Sequence, residues 1–213
     1  MRQMHYFHVL WRKILRKGPA ARAFGRRRWR WTSLPESPER LLDAVTELLG
    51  PLSILVNNAA HSTRDGLQGA RRRDPQRPLC GQSTGRGAAL GRVRPAFDGE
   101  TGGRIVNLTS GQSLGSMPEE LAYAATKSAI EAFTRTLAAE VGHKGMTVNV
   151  VNPDPTDPGW MTGELKQELS AKFSARRVGE SEDAARLVAF LASDRAAWIT
   201  GQIIHSEGGF LRS

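Results

Sequence analysis

The sequence predicts an α/β fold built on a doubly wound parallel sheet, with the N-terminal strands of that sheet missing or disordered. Three short apolar runs, at residues 52–56, 104–108 and 146–151, each lead into polar residues, as buried strands of a parallel sheet do. Apolar residues at helical spacing fill residues 121–141, between the second and third runs. Because strands alternate with helices, we expect the strands to lie parallel and to be joined by crossover connections.

The other elements follow from capping and helix-breaking residues. Ser37 and Pro38 begin a predicted helix whose apolar residues recur at spacings of three and four until Gly50-Pro51 ends it. A proline-rich loop follows the third strand, and Trp160 and Met161 after it are candidates either for a substrate lid or for packing. The later predicted elements are a short amphipathic helix at 164–173, a helix capped by Ser181-Glu182-Asp183 that runs to about Ser193, and a strand at 202–205.

Most of the positive charge lies in two segments. The chain has 30 Lys+Arg against 21 Asp+Glu, a net charge of +9. Residues 1–35 hold ten Lys+Arg and no acid, and residues 66–97 hold seven Arg and one acid, Asp74. These segments contribute +16, so the rest of the chain carries −7. We therefore predict a basic irregular segment at 1–36 and a domain at 37–213, interrupted by an irregular Arg-, Gly- and Pro-rich insert at about 66–97.

Composition argues against several classes of protein. A single Cys cannot build a disulfide scaffold and fits a reducing, cytoplasmic setting. No run of 18 apolar residues occurs, so we expect no membrane span. The five His have no ligand spacing and no Cys cluster occurs, so we expect no metal site. The clustered Arg have no folded context that would aim them at bases, which argues against nucleic acid as a partner.

Tyr123, Lys127 and Ser110 are the residues with the clearest chemical meaning. Tyr123 and Lys127 are four residues apart in the predicted helix, so their side chains share a face. A nearby ammonium favours the phenolate and lowers the pKa of a tyrosine toward neutral pH, which suits it to general acid or base catalysis. Ser110 follows the second strand, where it is placed to hydrogen-bond a substrate oxygen and hold it against the phenol.

The order of these motifs resembles the short-chain dehydrogenase/reductase family, in its 3-oxoacyl-acyl-carrier-protein reductase-like branch. The resemblance covers residues from about 38 to 65 and from 97 to 213. Asn57-Asn58-Ala59-Ala60 matches the family's Asn-Asn-Ala-Gly signature except at its last residue. Thr200-Gly201-Gln202 and Glu207-Gly208-Gly209 match its C-terminal motifs. The resemblance implies a Rossmann-type sheet and a homo-oligomer with subunit contacts through the C-terminal segment.

The resemblance also implies an activity, the interconversion of a carbonyl and an alcohol on a small-molecule substrate with NAD or NADP as the cofactor. Tyr123 would exchange a proton with the substrate oxygen, Ser110 would orient that oxygen, and Lys127 would bind the nicotinamide ribose. The cofactor-binding residues that it implies are Asn58, Ala59, Tyr123, Lys127 and Thr156. Neither the substrate nor the choice between NAD and NADP follows from the sequence.

Besides Ala60, the sequence departs from the family pattern at four points. It lacks the Thr-Gly-x-x-x-Gly-x-Gly turn whose backbone amides hold the cofactor pyrophosphate. It also lacks the Asn that the family places between the first two predicted strands, where it supports a proton relay. Asp154 stands where the family has Gly, and Pro158 stands where it has Thr. We therefore expect little or no activity from this chain. The alternative function is that of a non-catalytic remnant that binds partner subunits, or polyanions through its basic arms.

The two basic segments also have a genetic interpretation. Permitted codons for residues 28–32, shifted in frame, encode Val-Glu-Val-Asp, and those for 70–75 and 79–83 encode Leu-Asp-Ala-Glu-Thr and Tyr-Ala-Val-Asn, which would restore the relay Asn. Our hypothesis is that residues 1–33 and about 67–96 are out-of-frame translations of an ordinary family member. The alternatives are a transit peptide, an arm that binds membranes or nucleic acid, or disordered segments.

Overall fold

The computed structural model describes residues 53–58, 103–159 and 161–211 of the chain. The strands and α-helices in these ranges are β1 Ile54–Asn57, β2 Arg104–Leu108, α1 Leu121–Val141, β3 Thr147–Asn152, β4 Thr156–Asp157, α2 Gly163–Ser170, β5 Gly179–Glu180, α3 Ser181–Leu191 and β6 Ile203–His205. The predicted helix at 37–49, the basic segment at 1–36 and the insert at 66–97 lie outside the described residues.

Within the described residues, four strands form one parallel sheet in the order β1-β2-β3-β6, which confirms the predicted fold class. Asn57 is paired with Asn107, so the ends of β1 and β2 are level. Leu108 is paired with Val151, one residue before the end of β3, and the last residue of β3 is paired with His205 at the end of β6. The carboxyl ends of all four strands therefore meet at one edge of the sheet.

Different helices cover the two faces of the sheet. Every residue of β2 and β3 is buried, and successive side chains face opposite sides. One face packs Ile105 and Val148 with Ala138, Val141 and Met146, and the other packs Val106, Leu108 and Val151 with Val188 and Leu191. Burying one such side chain is worth about 1.5–3 kcal/mol. These two clusters hold α1 and α3 on the sheet and so fix the positions of the polar residues at its edge.

The bounds of α1 agree with the prediction, but its buried face differs from the apolar pattern. Phe133, which belongs to that pattern, is 40% exposed because it lies on the side of the helix away from the sheet. The polar residues Lys127, Glu131 and Thr134 are buried instead. The chain leaves the short helical turn after α1 through Gly145, whose φ of 68° is in the left-handed region. The helix thus presents polar side chains to the carboxyl edge of the sheet.

The segment after β3 differs from the prediction at α2. This helix ends at Ser170 rather than near residue 173, because Phe173 leaves the helix and bridges to Phe210. The two rings pack with their centroids 4.9 Å apart. Met161 is buried in the same apolar cluster, which supports a packing role for this residue. Trp160, the other candidate at this position, lies outside the described residues.

The prediction for the N-terminus of α3 was correct for Asp183, which takes part in a capping box, but wrong for Ser181, because the N-cap is Glu180. Ser181 is the first helical residue rather than the cap. Asp183 accepts the backbone N–H of Glu180 at 2.9 Å, as an acid at the third helical position can. Its carboxylate also accepts two hydrogen bonds from Arg177, at 2.6 and 3.0 Å, and one from Arg186 at 3.2 Å. Because β5 pairs with β4, this cap also fixes the β4–β5 ribbon beside the sheet.

Candidate active site

Polar residues follow three neighbouring strands at the carboxyl edge of the sheet. Asn58 comes directly after β1, Ser110 comes two residues after β2, and Asp154 comes two residues after β3. Ligands of open α/β sheets bind at this edge. The structure therefore places the predicted residues Asn58 and Ser110 at adjacent strand ends, whereas Ala59 lies outside the described residues.

Lys127 is a buried cation at the end of β2. The residue is 2% exposed, and its Nζ donates a hydrogen bond to the carbonyl oxygen of Leu108 at 2.9 Å. The same Nζ lies 5.4 Å from the centroid of the Tyr123 ring, and Tyr123 itself is half-buried. The spacing of four residues in α1 thus brings the ammonium beside the phenol. The ammonium lies over the face of the ring, within the distance of a cation–π contact.

Ser110 is buried and is hydrogen-bonded to Asp154. The Ser110 hydroxyl donates to Oδ2 of Asp154, and the same oxygen accepts the backbone N–H of Gly111 at 3.2 Å. The Sδ atom of Met117 lies 4.0 Å from the Ser110 hydroxyl oxygen, a much weaker acceptor than a carboxylate. The carboxylate that replaces the glycine expected from the resemblance therefore contacts the residue predicted to orient the substrate oxygen.

Glu131 is a buried carboxylate that the sequence analysis missed. Its Oε1 accepts hydrogen bonds from the hydroxyls of Thr109 and Ser113, at 3.0 and 3.2 Å, and from the amide of Gln112 at 2.5 Å. The hydroxyl of Thr109 also lies 3.3 Å from the carbonyl oxygen of Lys127. These bonds hold the loop that carries the predicted serine against α1. Glu131 is four residues after Lys127, and that spacing is the signal that could have found it.

A chain of side-chain hydrogen bonds crosses the ends of β1 and β2 to α1. The Asn57 amide donates to Oδ1 of Asn107 at 2.8 Å, and the Asn107 amide donates to the hydroxyl of Thr134 at 2.8 Å. Asn107 and Thr134 are 2% and 0% exposed. Buried polar groups are costly unless they are paired, and here each satisfies its neighbour. These hydrogen bonds therefore fix the relative positions of the two strand ends and the helix.

Asn152 anchors the loop that carries Asp154. Its Oδ1 accepts the backbone N–H of Asp154 at 3.1 Å. Its amide nitrogen lies 2.9 Å from Nδ1 of His205 and 3.3 Å from Oε2 of Glu207. Because the amide nitrogen is a donor, His205 accepts this bond through Nδ1. Asn152 thus ties the loop after β3 to the residues that end and follow β6.

Thr156, predicted to contact the cofactor, lies in β4 opposite Gly179 of β5. Its hydroxyl donates to the carbonyl oxygen of Pro153, so this group is engaged within the loop. The next residue, Asp157, forms an ion pair with Lys166 of α2 at 2.6 Å. This pair ties the loop after β3 to α2.

Comparisons with known proteins identify the family. The family model described as enoyl-(acyl carrier protein) reductase matches residues 33–211. An uncharacterized oxidoreductase of Bacillus subtilis, YjdA, is 51% identical over 172 residues, which are 80% of this chain and 68% of that protein. The chain belongs to the short-chain dehydrogenase/reductase family. The family prediction made from the sequence is confirmed.

Other short-chain dehydrogenases/reductases give the same result. The 3-oxoacyl-acyl-carrier-protein reductase FabG of Haemophilus influenzae is 35% identical over 190 residues, 84% of this chain and 75% of that protein. The solved structure of a blue fluorescent protein from a metagenomic library, in complex with NADPH, superposes with a TM-score of 0.72 at 33% identity. That match covers 81% of this chain and 70% of the other. YjdA and FabG are thus named an oxidoreductase and a reductase, the class of enzyme predicted from the sequence.

Two kinds of feature were not found in the described part of this short-chain dehydrogenase/reductase. No group of three or more His, Cys, Asp or Glu side chains in residues 53–58, 103–159 and 161–211 is arranged to hold a metal ion. None of the helices in the same ranges is long and apolar enough to cross a membrane.

The contact between Ser110 and Asp154 joins residues 44 positions apart, and no local sequence signal relates them.

Proposed function

We propose that this chain is an oxidoreductase that interconverts a carbonyl and an alcohol with NAD(P)(H) at the carboxyl edge of the sheet. The observation that carries the proposal is the buried ammonium of Lys127, held on the Leu108 carbonyl with its Nζ 5.4 Å from the Tyr123 ring centroid. Burying a charge is costly, so a lysine held in this way beside a phenol favours a chemical role over a purely structural one.

The residues present fit the nicotinamide end of a dinucleotide. Lys127 provides a fixed positive charge at the strand end, and an ammonium donates well to the hydroxyl oxygens of a ribose. The similarity to a protein solved in complex with NADPH supports the same cofactor class here. When bound, the nicotinamide supplies or accepts the hydride. Asn58 and Thr156, together with Ala59, are proposed to contact the cofactor.

In this proposal Tyr123 is the residue that transfers the proton. In alcohol oxidation, the Tyr123 oxygen takes the proton of the carbinol hydroxyl, and in carbonyl reduction it returns that proton to the substrate oxygen. The Lys127 charge stabilises the phenolate that acts as the base. Ser110 holds the substrate oxygen close to Tyr123. Glu131 holds the loop around Ser110 without touching the reacting atoms.

Cofactor titration followed by turnover tests the proposal. NADPH and NADH are titrated against the full chain by thermal shift and by intrinsic fluorescence, and ethyl acetoacetate is used as the carbonyl probe. We expect saturable binding that raises Tm, because a ligand that binds only the folded state stabilises it. Tyr123→Phe should keep cofactor binding and lose turnover, whereas Lys127→Met should lose both. Wild-type protein that binds neither nucleotide would contradict the proposal.

A non-catalytic role is the second candidate. The observation that favours it is the lack of a Thr-Gly-x-x-x-Gly-x-Gly turn anywhere in the 213 residues, which removes the expected pyrophosphate site. In this role the basic segments at 1–35 and 66–97 would bind polyanions. Retention on heparin that falls steeply with salt, together with no response to NADPH or NADH, would support this role over the first.

Two further expectations concern assembly and location. If the chain folds as the proposal requires, we expect a homo-oligomer, which light scattering coupled to size-exclusion chromatography measures directly. A cytoplasmic location also stays a prediction, and fractionation of cells that express the full chain would test it. An oligomer without cofactor binding would fit the non-catalytic candidate, since subunit contacts do not require the pyrophosphate site.

A further inference from the structure

The hydrogen bond between Ser110 and Asp154 changes what Ser110 can offer a substrate. A hydroxyl has one proton to donate and two lone pairs that accept. Here the proton is directed to the carboxylate of Asp154, which is a stronger acceptor than any neutral oxygen. Toward a third group, the Ser110 oxygen therefore presents lone pairs only.

Asp154 is held in place from two further directions. Its backbone N–H donates to Oδ1 of Asn152 at 3.1 Å, and the Oδ2 atom that accepts the Ser110 proton also accepts the N–H of Gly111 at 3.2 Å. Asn152 is fully buried, so the anchor does not depend on an exposed side chain. The carboxylate is therefore a defined part of the site, set by the fold rather than by a flexible surface rotamer.

We infer that Asp154 is a specificity-determining residue, which makes Ser110 a hydrogen-bond acceptor and so favours binding of the alcohol over binding of the carbonyl. This inference rests on the proposed oxidoreductase function. A carbinol hydroxyl can donate to the Ser110 oxygen, whereas a carbonyl oxygen has no proton and meets both lone pairs and a nearby negative charge. The same charge disfavours substrates with an anionic group next to the reacting carbon.

Binding constants, rather than the ratio of forward to reverse rates, measure this preference, because an enzyme variant cannot change the overall equilibrium of its reaction. The probes are ethyl acetoacetate and ethyl 3-hydroxybutyrate, which differ by two hydrogen atoms. All variants carry Tyr123→Phe and are saturated with NADP⁺, so that neither probe turns over. Saturation-transfer NMR gives Kd for each probe, and the measured quantity is the ratio of the ketone Kd to the alcohol Kd.

Two substitutions separate the hydrogen bond from the charge. Asp154→Asn keeps an oxygen that accepts from Ser110 but removes the charge, so the alcohol should still bind more tightly. Asp154→Gly releases the Ser110 proton for a hydrogen bond to the ketone oxygen. Ketone binding should therefore improve and the ratio should fall by roughly tenfold, near the upper end of what one neutral hydrogen bond contributes. An unchanged ratio in Asp154→Gly would overturn the inference. So would a failure of this variant to bind the ketone when NADP⁺ does bind.

A measurement without cofactor distinguishes failure of this inference from failure of the proposed function. In protein labelled with ¹³C at aspartate carboxyls, the Asp154 resonance is assigned by its loss in Asp154→Asn. We expect this resonance to shift in Ser110→Ala and to stay in place in Ser113→Ala, because Ser113 donates to Glu131 instead. No shift in Ser110→Ala overturns the inference whether or not cofactor binds. A shift without nucleotide binding confirms the contact and contradicts the oxidoreductase proposal alone.

Discussion

Replacing Asp183 with Asn should destabilise the protein at neutral pH and have a smaller effect in acid. Hydrogen bonds from Arg177 lower the pKa of Asp183 from 3.8 to about 2, against the opposing effect of burial and with help from the backbone N–H of Glu180. A shift of this size corresponds to at most about 2.5 kcal/mol. Because the Arg177 side chain is 55% exposed, solvent and salt reduce the contribution to about 1 kcal/mol.

The pH dependence has a defined sign. The pKa of Asp183 is lower in the folded state than in the unfolded state, so the stabilisation is complete above about pH 4 and is lost as the pH falls toward about 2. At pH 3 about half of the contribution should have gone. The substitution also leaves one acceptor oxygen where Asp183 has two, so the N–H of Glu180 and the Arg177 guanidinium compete for it. This weakens the cap beside the β4–β5 ribbon in which Thr156 lies.

Urea unfolding followed by far-UV circular dichroism at pH 7, 5, 4 and 3 measures the difference in unfolding free energy between the wild type and Asp183→Asn. Glu168→Gln is the matched control, because it removes one negative charge from an exposed position of α2 and should change stability by less than about 0.5 kcal/mol. A difference for Asp183→Asn that is the same at pH 7 and pH 3 would refute the reasoning, and so would no difference at pH 7.

Three other predictions concern the hydrogen bonds around the site and the apolar cluster of Phe173. Thr134→Val removes the acceptor of the Asn107 amide and leaves that donor buried and unpaired. Urea unfolding should therefore show a loss of about 1–3 kcal/mol in the free energy of unfolding. A loss near zero would mean that the bond is not formed. Glu131→Gln should lower Tm, because a neutral amide replaces a buried carboxylate that accepts three hydrogen bonds, and an unchanged Tm would count against that role. Phe173→Ala should lower the free energy of unfolding by about 3–5 kcal/mol, because Phe173 is buried. Trp198 is 99% exposed, so Trp198→Ala should lower it by less than about 0.5 kcal/mol. Equal effects of the two substitutions would contradict the packing described.

Local patterns predicted much of the fold and part of the site. The bounds of α1 and β2 agree with the prediction, because hydrophobic periodicity and chain breakers act within a few residues. The proximity of Tyr123 and Lys127 also followed from the helical repeat alone. In contrast, the cap of α3 and the end of α2 were predicted less well. The end of α2 depends on Phe173, which packs against Phe210 from a distant part of the chain.

The sequence by itself determined the family, the parallel sheet and the three residues proposed for proton transfer, because each is encoded by residue types at short, regular spacings. Only the tertiary structure decided that Asp154 accepts the hydrogen bond of Ser110. The same holds for Glu131, which accepts hydrogen bonds from the hydroxyls and the amide of the loop that carries Ser110. The first contact joins the loops that follow two different strands. Which side chains meet there depends on how those strands pair and how the loops pack, which the pattern within either strand does not specify. The physical reason is that hydrogen bonds depend on distances of about 3 Å, which packing sets after the chain has folded.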